Sequence, residues 1–385
     1  MKKVLIFGST GSVGRNTLRV IGGDSQFKVL GLAVNKNIVL LKKQVSKYKP
    51  AFVCVRDPQQ ANKCRQWLPK KVKLFSGRSG LREFAAIKSD IAVMGIVGVS
   101  CLEPLLIAIK HSKRIALANK ESLVAAGSIV VKEAEKNKTE ILPVDSEINA
   151  LFQLLKLFKK DYLRKVYLTA SGGSLWGLND TAIKGISRKK ILKHPTWNMG
   201  QRITVDSATL VNKAFEFMEV HHLFGIGYER IEVLIHRQSM AHALVEAIDG
   251  TSFACIYPPS MKSPLAHSLY YPQRKQSRFA DSRILSKDTL TFKKLSPGRF
   301  KLFDLVLASA KKGGNYPVII NAADEVAVDF FLEGKIKFNG IARAMNYIFN
   351  KTKKHKISRL SEVYYWDRWS RDKVKYYLRR YVVGR

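Results

Sequence analysis

Val4-Leu-Ile-Phe-Gly8-Ser-Thr-Gly11-Ser-Val-Gly14 decides how the rest of the chain is read. Four consecutive apolar residues predict a strand buried on both faces, and the three evenly spaced glycines turn it straight into a helix over Gly14–Ile21. Glycines there let the backbone approach a pyrophosphate, which then lies on a helix N-terminus where unpaired N–H groups and the helix dipole favour negative charge. Outward from this turn, the runs Val29–Val34, Phe52–Val55, Ile91–Val97, Ile115–Ala118 and Ile141–Val144 read as further buried strands. Ile38–Tyr48, Gln59–Trp67, Leu102–Lys110 and Ala125–Asn137 between them have helical spacing. Repeated βα units of this kind predict an α/β, Rossmann-like dinucleotide domain. Its second strand ends Ala33-Val34-Asn35-Lys36-Asn37, with no carboxylate where an NAD site holds the ribose 2′-hydroxyl. Lys36 suits a 2′-phosphate instead, so NADP is the expected cofactor.

The texture changes after Pro143. Ile148–Phe158 has helical spacing, Val166–Thr169 reads as a strand, and Ser171 to Gly200 is loop-like, with Trp176 and Trp197 in a stretch that suits a lid. A helix over Ser207–Leu223, strands at Ile231–Ile235 and Ser252–Ile256 with a helix between them, and an extended connector from Tyr257 to Pro297 follow. Leu302–Lys311, Ala322–Glu333, Ile341–Asn350 and Leu360–Tyr377 then read as helices. The expected division is a Rossmann-like domain over residues 1–145, an α+β central domain over 146–270, a connector over 271–297 and a C-terminal helical bundle over 298–385.

Composition narrows the class. With 385 residues and 46% hydrophobic content, the chain can bury substantial cores, which excludes disorder as a whole-chain description. The longest apolar run, Ile91 to Leu102, stops at Glu103-Pro104, short of the roughly 20 residues a membrane span needs. Only four apolar residues follow the lysines at the start, fewer than the about 7–15 of a signal-peptide core, so a cytoplasmic location is expected. Cys54, Cys64, Cys101 and Cys255 have neither disulfide nor zinc spacing and read as reduced thiols. The balance of 67 basic against 30 acidic residues, +37, is the usual footprint of a polyanionic partner.

Four groups of residues carry chemistry. Asp145 and Glu147 close the strand at Pro143 and, two apart in extended chain, leave on one side; such carboxylates repel unless a cation lies between them. Solvated carboxylates capping the next helix are the plainer reading of the same pair. Asn212, Glu216 and Glu219 line one face of the later helix with Lys213 beside them, able to supply a third carboxylate and, with Ser207, donors for a phosphate. An ordinary charged surface helix would look alike. Asn119-Lys120-Glu121 follows another buried strand and brings a lysine and a carboxylate to the same sheet edge, or simply a salt-bridged helix start. His194-Pro-Thr-Trp197-Asn-Met-Gly200 places His and Trp in the lid-like stretch, where they can exclude water or decorate the surface.

In order along the chain, Gly8–Gly14, Leu117-Ala-Asn-Lys-Glu-Ser-Leu123, Pro143-Val-Asp-Ser-Glu147, Leu168-Thr-Ala-Ser-Gly-Gly173, His194–Gly200, Val205-Asp-Ser-Ala-Thr209, Asn212-Lys213 with Glu216, Val233-Leu-Ile-His236 and Asn321-Ala-Ala-Asp-Glu325 resemble the 1-deoxy-D-xylulose 5-phosphate reductoisomerase family. The resemblance implies a homodimer of three-part subunits that takes a small phosphorylated sugar. It places Thr10, Gly11, Ser12, Val13, Asn35, Lys36, Asn37, Asn119, Glu121 and Gly200 on NADPH-binding positions. Asp145, Glu147 and Glu216 fall on ligands of a divalent metal, Mn²⁺, Mg²⁺ or Co²⁺. Lys120, Ser146, Glu147, Ser171, His194, Ser207, Asn212, Lys213 and Glu216 fall on substrate positions, Ser171, Ser207, Asn212 and Lys213 serving the phosphate. Catalytic roles then rest on Lys120, Asp145, Glu147, Glu216 and His194, with Trp197 and Met261 completing a cover. The implied reaction is retro-aldol cleavage and aldol recombination, assisted by the metal as Lewis acid, followed by hydride transfer from NADPH to give 2-C-methyl-D-erythritol 4-phosphate.

Two positions depart from the pattern: Arg237 stands where Pro is expected, and Tyr257-Pro258 where a Gly-Glu pair is expected. Against the family reading stand another NADP-dependent oxidoreductase, a catalytically degenerate paralogue and a basic nucleic-acid-binding protein. The first has no use for three carboxylates beside a phosphate set. For the last, no helix-turn-helix, zinc-finger, RNP or KH signature is present, so no specific nucleic acid and no membrane is expected as partner.

Overall fold

In a computed structural model, which describes residues 1–157, 159–179, 183, 185–197, 199–276 and 289–383, the first strand is β1, Lys2–Phe7, and its Val4–Phe7 are fully buried. It is joined by β2 (Phe27–Val34), β3 (Phe52–Val55), β4 (Lys73–Ser76), β5 (Ser89–Met94), β6 (Ser112–Leu117) and β7 (Glu140–Pro143). These seven form one all-parallel sheet in the order β4-β3-β2-β1-β5-β6-β7. Strand order reverses between β1 and β5, the place where open α/β sheets bind ligands beyond the strand ends. Two strands of this sheet differ from the expectation. β4 has no counterpart among the expected strands because Lys73-Leu-Phe-Ser is a short edge strand with a polar residue at each end. β5 stops at Met94 rather than Val97, leaving Gly95–Gly98 as a turn beside the Gly8 loop.

The chain divides into two compact units. The first comprises Met1–Ser122, Val130–Asn149 and Ser260–Asp281, and the second Leu123–Ile129, Ala150–Pro259 and Ser282–Arg385. The stretch expected as central domain and connector therefore contributes to the first unit. Lys262–Tyr270 is a helix, not extended chain, and its Leu265 and Leu269 are buried in the core shared by β1, β2 and the helix Ser12–Ile21. The helix Lys120–Asn137 bends at Ala126 (φ −150°, ψ 31°), inside the turn that belongs to the second unit.

The second unit holds β8 (Leu163–Ala170), β9 (Ile231–Ile235), β10 (Ala241–Ala247), β11 (Ser252–Ile256) and β12 (Lys293–Lys294) in the order β11-β10-β8-β9-β12. β10 corrects the helix expected between β9 and β11: its alanines favour helix, but pairing with both β8 and β11 makes it a buried inner strand. The expected helix Ser207–Leu223 is two, Gln201–Thr209 and Val211–Phe224, parted by Leu210 in left-handed conformation (φ 58°). Four helices follow, Lys301–Lys312, Tyr316–Leu332, Asn339–Lys351 and Leu360–Val383. They join the rest of this unit through contacts such as the edge-to-face pair of Phe217 and Phe303, 5.6 Å between ring centres. The expected helix end at Phe158 lies outside the described residues. Among the described residues no helix is long and apolar enough to cross a membrane.

Candidate functional site

In the first unit the expected residues gather at the C-terminal ends of the parallel strands. Gly8 has φ +80°, and a Cβ there would stand 2.6 Å from the carbonyl oxygen of Gly95; one at Gly14 would stand 2.4 Å from Cα of Ser9. Only glycine fits either position, and the resulting turn leads into the helix Ser12–Ile21 with Gly11 at its N-cap. Thr10, Gly11, Ser12 and Val13 all lie on this turn and first helical residues. Sequence reasoning missed Gln44, which fixes the turn from beneath: it accepts from the Ser9 hydroxyl and donates to the Ser9 carbonyl, both at 2.8 Å.

Beyond β2, Asn37 caps the helix Ile38–Tyr48 by accepting from the Leu40 amide at 3.0 Å. The Asn35 carbonyl accepts from the Asp57 amide. Lys36 is 72% exposed, with its Nζ 3.8 Å from an Asp57 carboxylate oxygen. A carboxylate thus stands beside Lys36, supplied by the segment after β3; its other oxygen caps the helix Pro58–Arg65.

Asn119 and Glu121 brace the Gly98 turn after β5. The Asn119 amide donates to the Gly98 carbonyl (3.2 Å) and to Glu121 (2.8 Å), while the Gly98 amide donates to Glu121 (2.9 Å). The signal that could have revealed this turn is the Gly95-x-x-Gly98 spacing at the end of an apolar run. Lys120 is buried and its Nζ lies 2.6 Å from Oδ2 of Asp145 at the end of β7. Asp145 Oδ1 accepts from the Glu147 amide at 3.2 Å, and the Ser146 hydroxyl donates to the Glu147 carboxylate at 2.5 Å. Asp145 and Glu147 offer only oxygen, the donor set that hard divalent cations such as Mg²⁺ and Mn²⁺ require. Met261, partly buried, packs against this unit's core at the N-cap of the helix Lys262–Tyr270.

In the second unit, Ser171, His194 and Ser207 converge on one nitrogen. His194 Nε2 lies 3.0 Å from the Ser171 hydroxyl and 3.1 Å from that of Ser207. Nδ1 accepts from the amides of Thr196 (3.1 Å) and Trp197 (2.9 Å), so the neutral ring carries its proton on Nε2, directed at the two hydroxyls. Trp197 meets the His242 ring edge-on, and His242 stacks on Tyr257 at 3.9 Å. Asn198 falls outside the described residues, and Gly200 caps the helix that carries Ser207.

Glu216 is fully buried; Asn212 donates to its Oε1 at 2.6 Å and Lys213 pairs with its Oε2. Asn212 and Lys213, expected as phosphate donors, are here turned to a carboxylate, another all-oxygen donor suited to the same class of ion. Arg237 was not anticipated as a site residue. Its Nη1 donates to the carbonyls of Ser171 (2.7 Å) and Gly173 (3.0 Å).

Three family models match the chain: 1-deoxy-D-xylulose 5-phosphate reductoisomerase over residues 4–127, its C-terminal domain over 141–224, and the DXP reductoisomerase C-terminal domain over 256–373. A protein of Thermodesulfovibrio yellowstonii named 1-deoxy-D-xylulose 5-phosphate reductoisomerase is 40% identical over 97% of this chain and 99% of its own. One of the same name from Pelotomaculum thermopropionicum is 39% identical over 97% of each. Among solved structures, the enzyme of that name from Zymomonas mobilis in complex with NADPH superposes with a TM-score of 0.90 at 33% identity, covering 98% of this chain and 99% of its own. A DOX-P reductoisomerase in complex with NADPH, fosmidomycin and magnesium gives 0.92 at 31% identity, covering 98% of each.

Proposed function

The chain belongs to the 1-deoxy-D-xylulose 5-phosphate reductoisomerase family, and from that premise we propose that it converts 1-deoxy-D-xylulose 5-phosphate to 2-C-methyl-D-erythritol 4-phosphate, a step of non-mevalonate isoprenoid biosynthesis. The carbon skeleton would be rearranged by retro-aldol cleavage and aldol recombination, and NADPH, when bound, would supply the hydride for the resulting aldehyde. The observation that carries this reading is the buried Lys120–Asp145 pair, set on the same sheet edge as a glycine turn that admits a pyrophosphate.

Asp145, Glu147 and Glu216 would hold the divalent ion, Mg²⁺, Mn²⁺ or Co²⁺. When bound, such an ion supplies Lewis acidity toward the substrate's keto and hydroxyl oxygens. The protein's own residues do the rest. Lys120 and Lys213, which neutralise Asp145 and Glu216, are placed to exchange a carboxylate for a substrate oxygen. Ser171, Ser207 and the Nε2–H of His194 form a three-donor cradle for the phosphate, joined by Asn212. The Gly8–Gly14 turn would hold the pyrophosphate of NADPH and Lys36 its 2′-phosphate, while Asn119 and Glu121, which brace the Gly98 turn, would help to hold the rest of the cofactor. Trp197, docked on His242, excludes water while the two carbon fragments exist.

We also propose a homodimer working in the cytoplasm. The edge strand β11 leaves Phe253 and Ile256 about 40% exposed, an apolar edge that a second copy would cover. Buried thiols at Cys54, Cys64 and Cys101 suit a reducing compartment.

The test is NADPH oxidation, followed by its near-ultraviolet absorbance, with 1-deoxy-D-xylulose 5-phosphate and Mg²⁺. The wild type should turn over, and Glu147→Gln should lose about 100-fold or more in kcat. Absence of turnover in the wild type, or an undiminished variant, overturns the assignment.

A further inference from the structure

The loop Ser171-Gly172-Gly173 leaves β8 between two supports. On one side lies the helix Gln201–Thr209: a Cβ on Gly173 would stand 2.7 Å from both Cα of Ala208 and the Ser207 carbonyl oxygen, so the loop rests directly on the backbone that carries Ser207. On the other lies Arg237, beyond the end of β9, whose Nη1 alone donates to the carbonyls of Ser171 at 2.7 Å and Gly173 at 3.0 Å. Within the loop, the Gly173 amide donates to the Ser171 hydroxyl at 3.1 Å. That hydroxyl in turn meets His194.

The trans peptide makes the consequence definite. Carbonyl and N–H of one peptide point in opposite directions. Holding the Ser171 and Gly173 carbonyls toward Arg237 therefore turns the N–H groups of Gly172 and Ser174 to the far side. Two backbone donors presented on one side, next to a serine hydroxyl, make an anion-binding concavity. A charged donor on both carbonyls fixes that orientation more firmly than a neutral one would.

We propose that Arg237 is the positioning residue of the phosphate loop in this chain: it pins the carbonyls of Ser171 and Gly173 so that the loop's donors face the substrate phosphate. The proposal rests on the reading of Ser171 and Ser207 as phosphate contacts. It assigns a role to a position where the family resemblance leads to Pro, a residue with no side-chain donor.

Steady-state kinetics of Arg237→Gln and Arg237→Lys test it. The Gln variant should raise KM for 1-deoxy-D-xylulose 5-phosphate about tenfold. Its kcat and its KM for NADPH should stay within about twofold of wild type. Because one nitrogen serves both carbonyls, the Lys variant should recover most of the loss. An unchanged substrate KM in the Gln variant, or no recovery with Lys, overturns the proposal. So does a uniform fall in kcat and both affinities together with a lowered Tm, the mark of a merely structural residue. Arg237→Met, of similar length, carries the test if the Gln variant does not fold. Calorimetric titration of inorganic phosphate, with no NADPH present, separates this proposal from the assigned reaction. About tenfold weaker binding to Arg237→Gln supports the role of Arg237 even if the wild type fails to turn over, and equal binding refutes it.

Discussion

Lys36 is the residue on which the choice between the two nicotinamide cofactors turns, and its surroundings make the choice testable. Its ammonium is largely exposed and lies 3.8 Å from Asp57, a separation at which an exposed ion pair contributes little. It is therefore available to a 2′-phosphate at small cost. Lys36→Ala should raise KM for NADPH about tenfold, the worth of one charge-assisted contact, while KM for the sugar phosphate changes less than about twofold. Equal changes in both constants would refute the assignment. The glycine turn and the acidic motif after β7 were legible in the sequence because their chemistry is local: spacing alone puts them at strand ends. Gln44, Asp57 and Arg237 were not, since each acts on a backbone group or side chain more than 20 residues away, and no pattern in their own neighbourhood marks the partner.

Helices show a different limit. A left-handed Leu210 splits what periodicity reads as one helix, and it separates Ser207, on the first, from Asn212, Lys213 and Glu216, on the second. Leucine is a poor residue for that conformation, so composition offers no sign of the break. β10 misled in the opposite sense, its alanines giving a helical preference that sheet pairing overrides. The helix Gln201–Thr209 is in turn tied to Tyr316–Leu332 by a buried polar cluster. Arg202 lies 3.3 Å from Glu325, and Arg371 of the last helix also pairs with Glu325. Burial works against ionising Glu325, but Arg202 and Arg371 more than offset it and hold its carboxyl below the usual range. Asp324 goes the other way: burial first, then the neighbouring Asp206, pushes its carboxyl well above the ordinary 3.8. A carboxyl raised in the folded state contributes stability that is fully present below its unfolded value and is lost as pH rises from there through the folded one. Asp324→Asn, which keeps the shape of the protonated acid, should therefore be at least as stable as wild type at pH 7. Its stability relative to wild type should also rise on going from pH 4 toward 7, because the variant lacks the loss that this one carboxyl brings. A variant less stable than wild type by the same margin at pH 7 as at pH 4 would contradict this, as denaturant titrations at several pH values can show.

At the scale of the whole molecule, the excess of 37 positive charges belongs mostly to the surface rather than to the site. The proposed ligand positions use three lysines, whereas residues 351–385 alone carry 12 basic and three acidic residues. A net charge so far from zero weakens the compact state through self-repulsion, and acidification, which neutralises the few carboxylates, strengthens that repulsion. A second source of acid sensitivity is buried in each unit. In the first, His267 is held neutral by burial, with Arg274 and Arg114 adding repulsion, so its pKa falls to about 4; Asn149 lies 3.1 Å from its Nδ1. In the second, burial and the neighbouring His221 lower His222 to about 4 as well. Unfolded, both would take up a proton near the ordinary 6.5. Between those values the unfolded chain binds more protons than the folded one, so stability falls as pH drops from 6.5 through 4, by up to about 3 kcal/mol for each histidine. The two sources respond differently to salt. Surface repulsion is screened within a Debye length of about 4 Å at 0.5 M ionic strength, while the cost of charging a buried imidazole is not. Denaturant midpoints compared at pH 7, 5.5 and 4 should therefore still fall in 0.5 M salt, and His222→Phe should remove about half of the salt-resistant part. If salt restores the neutral-pH midpoint, or if His222→Phe leaves the fall unchanged, surface charge alone governs the acid response of this protein and the buried histidines have no share in it.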